Sequence, residues 1–161
     1  MLAFLHRHFT RHPSLSLRWP IAIVFIGLLG FVDSGYLAYK HYTNEILPCP
    51  GVELVNTCQV VATSVYSTIL GIPLSLLGLF FYATVIVIGL FALNEKYQFV
   101  LNFIPPLALV AWVFSVRLVY LQLFVIYSVC YYCIWSAILS TVLLILGIII
   151  VRKRLRAGDL L

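Results

Sequence analysis

Four long apolar runs divide this chain, at residues 20–39, 72–93, 99–127 and 129–151. Crossing the hydrocarbon of a bilayer takes about 20 residues of helix at a rise of about 1.5 Å each. Each run meets that length. In lipid every backbone N–H and C=O must be satisfied within the segment, so such runs are committed to helix. Hydrophobic residues make up 63% of the chain and charged residues only 9%, against roughly a quarter charged in soluble domains. A chain of 161 residues has no room for two soluble domains beside a membrane part. These features predict an all-α membrane protein, a four-transmembrane-helix bundle spanning 20–151. It is flanked by a basic segment at 1–19 and a basic tail at 152–161.

The formal net charge of +5 does not indicate nucleic acid, because it is confined to the chain ends. Arg7, Arg11 and Arg18 precede the first run, and Arg152, Lys153, Arg154 and Arg156 follow the last. By the positive-inside rule both ends are cytoplasmic. The turn at 94–96 then lies inside, and the connection 40–71 and the tight turn at 127–128 lie outside. No cleavable signal peptide is expected, since a 19-residue polar and aromatic lead precedes a run long enough to span. His6, His8 and His12 read as headgroup-facing rather than metal-binding.

The outer connection is too apolar for a loose loop. Residues 55–70 read as a short outward-facing helix between the first two spans, with Asn56 or Thr57 as N-cap and Gly71-Ile-Pro73 as the stop. Pro105 and Pro106 fit the first turn of the third span, where a missing N–H costs least.

All four cysteines fall on the outer side as two pairs, Cys49 with Cys58 and Cys130 with Cys133. That usage suits disulfide chemistry in an oxidising compartment. Cys58 lies in the first turn of the short helix and Cys130-Tyr-Tyr-Cys133 heads a span, and helix N-termini favour thiolates. A static bridge within the Cys130–Cys133 pair would close too small a loop to stabilise much. A four-thiolate zinc site is poorly served by the wide Cys49–Cys58 spacing, so no metal is expected. Two dithiols facing one compartment suggest a relay, since thiol–disulfide exchange passes two-electron equivalents through a mixed disulfide. Cys49 and Cys58 form the mobile pair. Cys130 and Cys133, rigid and close to lipid, suit a membrane quinone as acceptor.

The ordered set Asp33-Ser-Gly-Tyr-Leu, Cys49, Cys58, Ser64, Gly71-Ile-Pro-Leu-Ser-Leu-Leu-Gly78, Tyr120-Leu and Cys130-Tyr-Tyr-Cys133-Ile-Trp-Ser136-Ala resembles the vitamin K epoxide reductase family in its bacterial form, over about 20–151. The resemblance implies a four-helix bundle around a quinone (ubiquinone, menaquinone or phylloquinone) that oxidises the thiols of a thioredoxin-fold partner and so supports disulfide-bond formation. It implies that Cys49 exchanges with the partner, Cys58 passes electrons to Cys130, Cys133 faces the quinone, and Ser64 supplies a hydrogen-bonding group. Relatives often carry a fused thioredoxin-like domain; with the chain ending at Leu161, a separate DsbA-like protein is expected as partner. The implied location is the bacterial cytoplasmic membrane, multi-pass, with the site facing the periplasm.

Animal members that reduce vitamin K epoxide carry an asparagine and a tyrosine against the ligand, where this chain has Leu74 and Ala137. That departure favours a disulfide generator over the alternative, a vitamin K quinone or epoxide reductase of an internal membrane. DsbB-like oxidases place the CxxC before the loop pair, the reverse of the order here. A different class, a non-enzymatic membrane scaffold with structural disulfides, predicts inert thiols.

Phe81 and Tyr82 are candidates to wall a quinone pocket, though interior aromatics commonly serve packing alone. Ser136 and Ser140 continue the Cys133 face and could bond the head group or mark close helix packing, the commoner meaning. Asp33 and Arg117 are the charges inside spans. Since a charge in lipid costs a few kcal/mol, both are expected to face the interior.

Overall fold

The computed structural model describes residues 16–49, 57–69 and 71–157. Four helices are long and apolar enough to cross a membrane. They are α1 (Arg18–Thr43), α3 (Leu74–Phe91), α4 (Ile104–Phe124) and α5 (Tyr131–Ala157). Between α1 and α3 lie α2 (Thr57–Ala62), a 3₁₀ turn (Val65–Ser67) and a two-stranded antiparallel ribbon of β1 (Thr68–Ile69) and β2 (Ile72–Pro73). The all-α four-helix membrane bundle expected from the sequence is the fold observed.

Three details differ from expectation. The helix expected over 55–70 stops at Ala62, and Val55 and Asn56 lie outside the described residues. Its continuation is undone locally. The hydroxyls of Thr63, Ser64 and Ser67 donate back to the carbonyls of Gln59, Val61 and Ser64 at 2.8–2.9 Å, bonds that compete with helix propagation. Gly71, at φ +79°, then reverses the chain so that Ile69 pairs with Ile72.

The third span does not run as α-helix from 99. Residues Glu95–Phe103 form 3₁₀ turns and α4 begins at Ile104. Pro105 and Pro106 occupy its first turn, because neither ring can donate to a carbonyl one turn back.

Arg117 is exposed on the outer face of α4, which corrects its expected interior position. The interior face carries Leu107, Ala111, Phe114, Leu118 and Leu121, and a step of 100° per residue turns position 117 away from 118. The buried arginine is Arg154 instead, 7% exposed. Its Nη1 donates to the Gln98 carbonyl at 2.7 Å and to Asn102 Oδ1 at 3.2 Å, which ties α5 to the 3₁₀ segment.

The core is made by Ile23, Tyr82, Val85, Ile104, Ala108, Leu139 and Leu143 with their neighbours. Outside it, Phe25, Val32, Phe80, Val110 and many other large apolar side chains stay exposed, as a lipid-facing surface requires. Helices α1 and α3 approach through small residues, as membrane helices do. The Tyr82 ring rests on Gly30, and Ser34 Oγ lies 2.9 Å from where a Cβ on Gly78 would stand.

Candidate functional site

At one end of the bundle, α1, the 61–67 segment, α3, α4 and α5 enclose a cavity of about 400 Å³. Its walls are largely leucine, phenylalanine, valine and alanine, with Ser64, Tyr82, Gln122, Cys130, Cys133 and Ser136 among the polar groups. An apolar box with a few placed polar groups is the usual form of a small-molecule site.

The cysteines stand at its head. Cys49 and Cys58 are joined by a disulfide, with Cα atoms 5.6 Å apart. Cys130 and Cys133 are free. Cys58 and Cys130 are 0% and 1% exposed and share one buried cluster with Leu47 and Val61, against which Cys49 and Cys133 also pack. Cys130 immediately precedes α5, and the N–H of Ile134 donates to its carbonyl at 3.1 Å. The Cys130 thiol stands beside that of Cys133 at the first turn of the helix. The CxxC therefore forms the N-terminal turn of the helix, where orphan N–H groups meet a thiolate.

The loop pair is latched to this helix head. Gln59 Oε1 accepts from Leu47 N–H at 2.9 Å, which holds the extended 45–49 segment on α2. The Tyr132 hydroxyl donates to the Pro48 carbonyl at 3.3 Å, and its ring lies 5.5 Å from that of Tyr36.

Ser64, Leu74, Phe81, Tyr82, Cys130, Cys133 and Ser136 all line the cavity. Ala137 does not; it borders a smaller recess with Trp112 and Thr141, and its carbonyl accepts the hydroxyls of Ser140 and Thr141. The Ser136 hydroxyl is engaged by Tyr82 at 3.0 Å, so these two groups brace α3 on α5. Ser140 pairs with Ser115 across α4 and α5 at 3.2 Å. Asp33 is half-buried, and its Oδ2 has no hydrogen-bond partner among the described residues.

Sequence reasoning passed over Gln122. It is 1% exposed and lines the cavity. Its Oε1 accepts from the Cys130 N–H at 2.8 Å, and its Nε2, beside the Cys133 thiol, is buried with no partner at hydrogen-bond geometry among the described residues. The signal was available: an amide inside an apolar span is itself a sign of an interior polar contact.

A model of the vitamin K epoxide reductase family matches residues 21–148. The chain belongs to the vitamin K epoxide reductase family. No curated protein matches it. As a family member it is a multi-pass membrane oxidoreductase, with one disulfide formed and one dithiol reduced at the head of its cavity.

Proposed function

We propose that this protein takes electrons from a separate thioredoxin-fold (DsbA-like) partner and delivers them to a membrane quinone, regenerating disulfide-forming capacity outside a bacterial cytoplasmic membrane. The observation that carries this reading is the joint burial of Cys58 and Cys130 in one cluster, with Cys49 on its accessible side and Cys133 on the cavity. Cys49 is half-buried, whereas Cys58 is fully enclosed, so an incoming partner thiolate reaches Cys49. It displaces Cys58, and the partner's second thiol then releases Cys49 from the mixed disulfide. Cys58 next attacks Cys130 of an oxidised CxxC and expels Cys133 as thiolate. Attack by Cys49 on Cys58 closes the loop bridge again and frees Cys130. The end state is a bonded Cys49–Cys58 beside a reduced Cys130/Cys133 pair, the arrangement in the structure.

The residues present fit a quinone. Leu77, Val110 and Phe114 line the cavity while also being 43%, 58% and 43% exposed, so the cavity opens sideways between α3 and α4 toward lipid. Phe81, Leu74 and Leu118 would hold a ring, with Ser64 and Gln122 as polar contacts. When bound, the quinone supplies a two-electron, two-proton acceptor. The apolar walls keep water from the dithiol, and Tyr82 and Ser136 fix the depth at which a ring can lie.

Charge placement supports an outward site: Arg18 lies at one end of α1 and Arg152, Lys153, Arg154 and Arg156 at the end of α5, with the cysteines at the opposite end. The test is anaerobic mixing of the quinone-loaded protein with a reduced thioredoxin-fold protein, followed by quinone absorbance. The natural chain should reduce quinone. Cys133→Ser should stop turnover, and Cys49→Ser, which lacks the thiol that resolves it, should accumulate a Cys58–Cys130 link visible by mass spectrometry. Unchanged quinone reduction in Cys133→Ser defeats the assignment.

A further inference from the structure

Gln122 lies in the last turn of α4, and the chain itself fixes which way its amide points. The Cys130 backbone N–H is a donor, so the atom 2.8 Å from it must be the amide oxygen. The NH₂ group is then turned to the cavity it lines, buried and beside the Cys133 thiol, with no partner at hydrogen-bond geometry among the described residues. Neither hydrocarbon nor carboxylate could do both jobs. Leucine would leave the Cys130 N–H unmet, and an ionised glutamate would meet it while offering the cavity only an acceptor.

We propose that Gln122 Nε2 donates a hydrogen bond to a ring carbonyl oxygen of the quinone and holds that oxygen beside the Cys130/Cys133 dithiol. The inference rests on the quinone reading above and assigns a binding residue to it. The chemistry suits the geometry. When Cys130 and Cys133 close to a disulfide, two electrons and two protons leave the thiols and convert the two ring carbonyls to hydroxyls. Negative charge grows on the oxygens as the electrons arrive, and a donor aimed at one of them stabilises that change more than the starting carbonyl. Because the same amide is bonded to the Cys130 backbone, donor and dithiol keep their spacing when α4 or α5 shifts.

The test uses the full chain in lipid nanodiscs with ubiquinone-1 carrying ¹³C at a ring carbonyl. Infrared difference spectra should show one carbonyl stretch at lower wavenumber than in protein-free lipid. In Gln122→Glu, at a pH where the introduced carboxyl shows its ionised band, and in Gln122→Leu, the shift should vanish. Affinity for ubiquinone-1, read by fluorescence quenching, should fall about tenfold. The glutamate variant retains the acceptor for Cys130, so it separates donation to the ligand from capping of the helix, and it carries the test if the leucine variant does not fold. A glutamate variant with the natural affinity and the shifted band overturns the proposal and leaves Gln122 a cap. A natural chain that binds no ubiquinone-1 overturns the quinone reading itself.

Discussion

Cys49 and Cys58 ride on a short extended segment and a six-residue helix, whereas Cys130 and Cys133 head a helix of 27 residues. The first pair is held by single hydrogen bonds, Leu47 to Gln59 and Tyr132 to Pro48. The second is held by a whole bundle, through Tyr82 to Ser136, Ser115 to Ser140 and Gln122 to the Cys130 backbone. The two dithiols are thereby supported unequally. A relay needs one pair that can turn between partners and one that presents a constant face to its acceptor. The contrast lies in what supports each pair, since both meet in one buried cluster.

Loosening the fixed side should have the largest effect on stability. A Cβ at Gly30 would overlap the Tyr82 ring, so Gly30→Ala should cost about 1–3 kcal/mol through overpacking. Unfolding of the protein in detergent measures that loss, and a variant as stable as the natural chain would break the claim that Tyr82 braces α5. On the mobile side, Gln59→Ala removes the acceptor of the Leu47 N–H and should cost about 1 kcal/mol. It should also speed reduction of the Cys49–Cys58 bridge by a small dithiol, followed by gel shift after alkylation. If reduction is no faster, the latch does not restrain the loop. Tyr132→Phe removes a hydrogen bond at an exposed site and should change stability by less than about 0.5 kcal/mol. A larger change in melting would show the two regions to be more tightly joined than their separate supports imply.

The spans and the position of the CxxC at a helix head were legible in sequence because lipid leaves so few choices, and part of the cavity wall was named with them. Run length fixes a helix, and residues at i and i+3 or i+4 of α3 and α5 share a face whatever surrounds them. Facing was harder. Helices α4 and α5 are apolar toward lipid and toward protein alike, so the periodicity that orients a helix in a soluble protein is nearly silent. The two arginines show the consequence. Arg117 was expected inside and lies outside, while Arg154, part of a charge run that marks orientation, is folded inward onto Gln98 and Asn102. The 63–73 segment was illegible for another reason. Its course follows from hydroxyls returning to carbonyls and a single positive φ at Gly71, and apolar composition says nothing about either.

Ala137 and Gln122 make a similar pair. Position 137 entered through a family correspondence and points away from the cavity, whereas Gln122 had no correspondence to recommend it and lies in the wall.

The rest of the Tyr82 ring against Gly30 also makes the bundle a gauge. Tyr82 is pinned behind by a residue with no side chain and in front by Ser136, so the floor of the compartment cannot recede. For a quinone bound as proposed, ring width would then be limited by one contact between α1 and α3, made through a tyrosine bonded one turn below Cys133. On the proposed reading, exchanges at position 30 would retune which head groups fit without replacing a residue of the cavity lining.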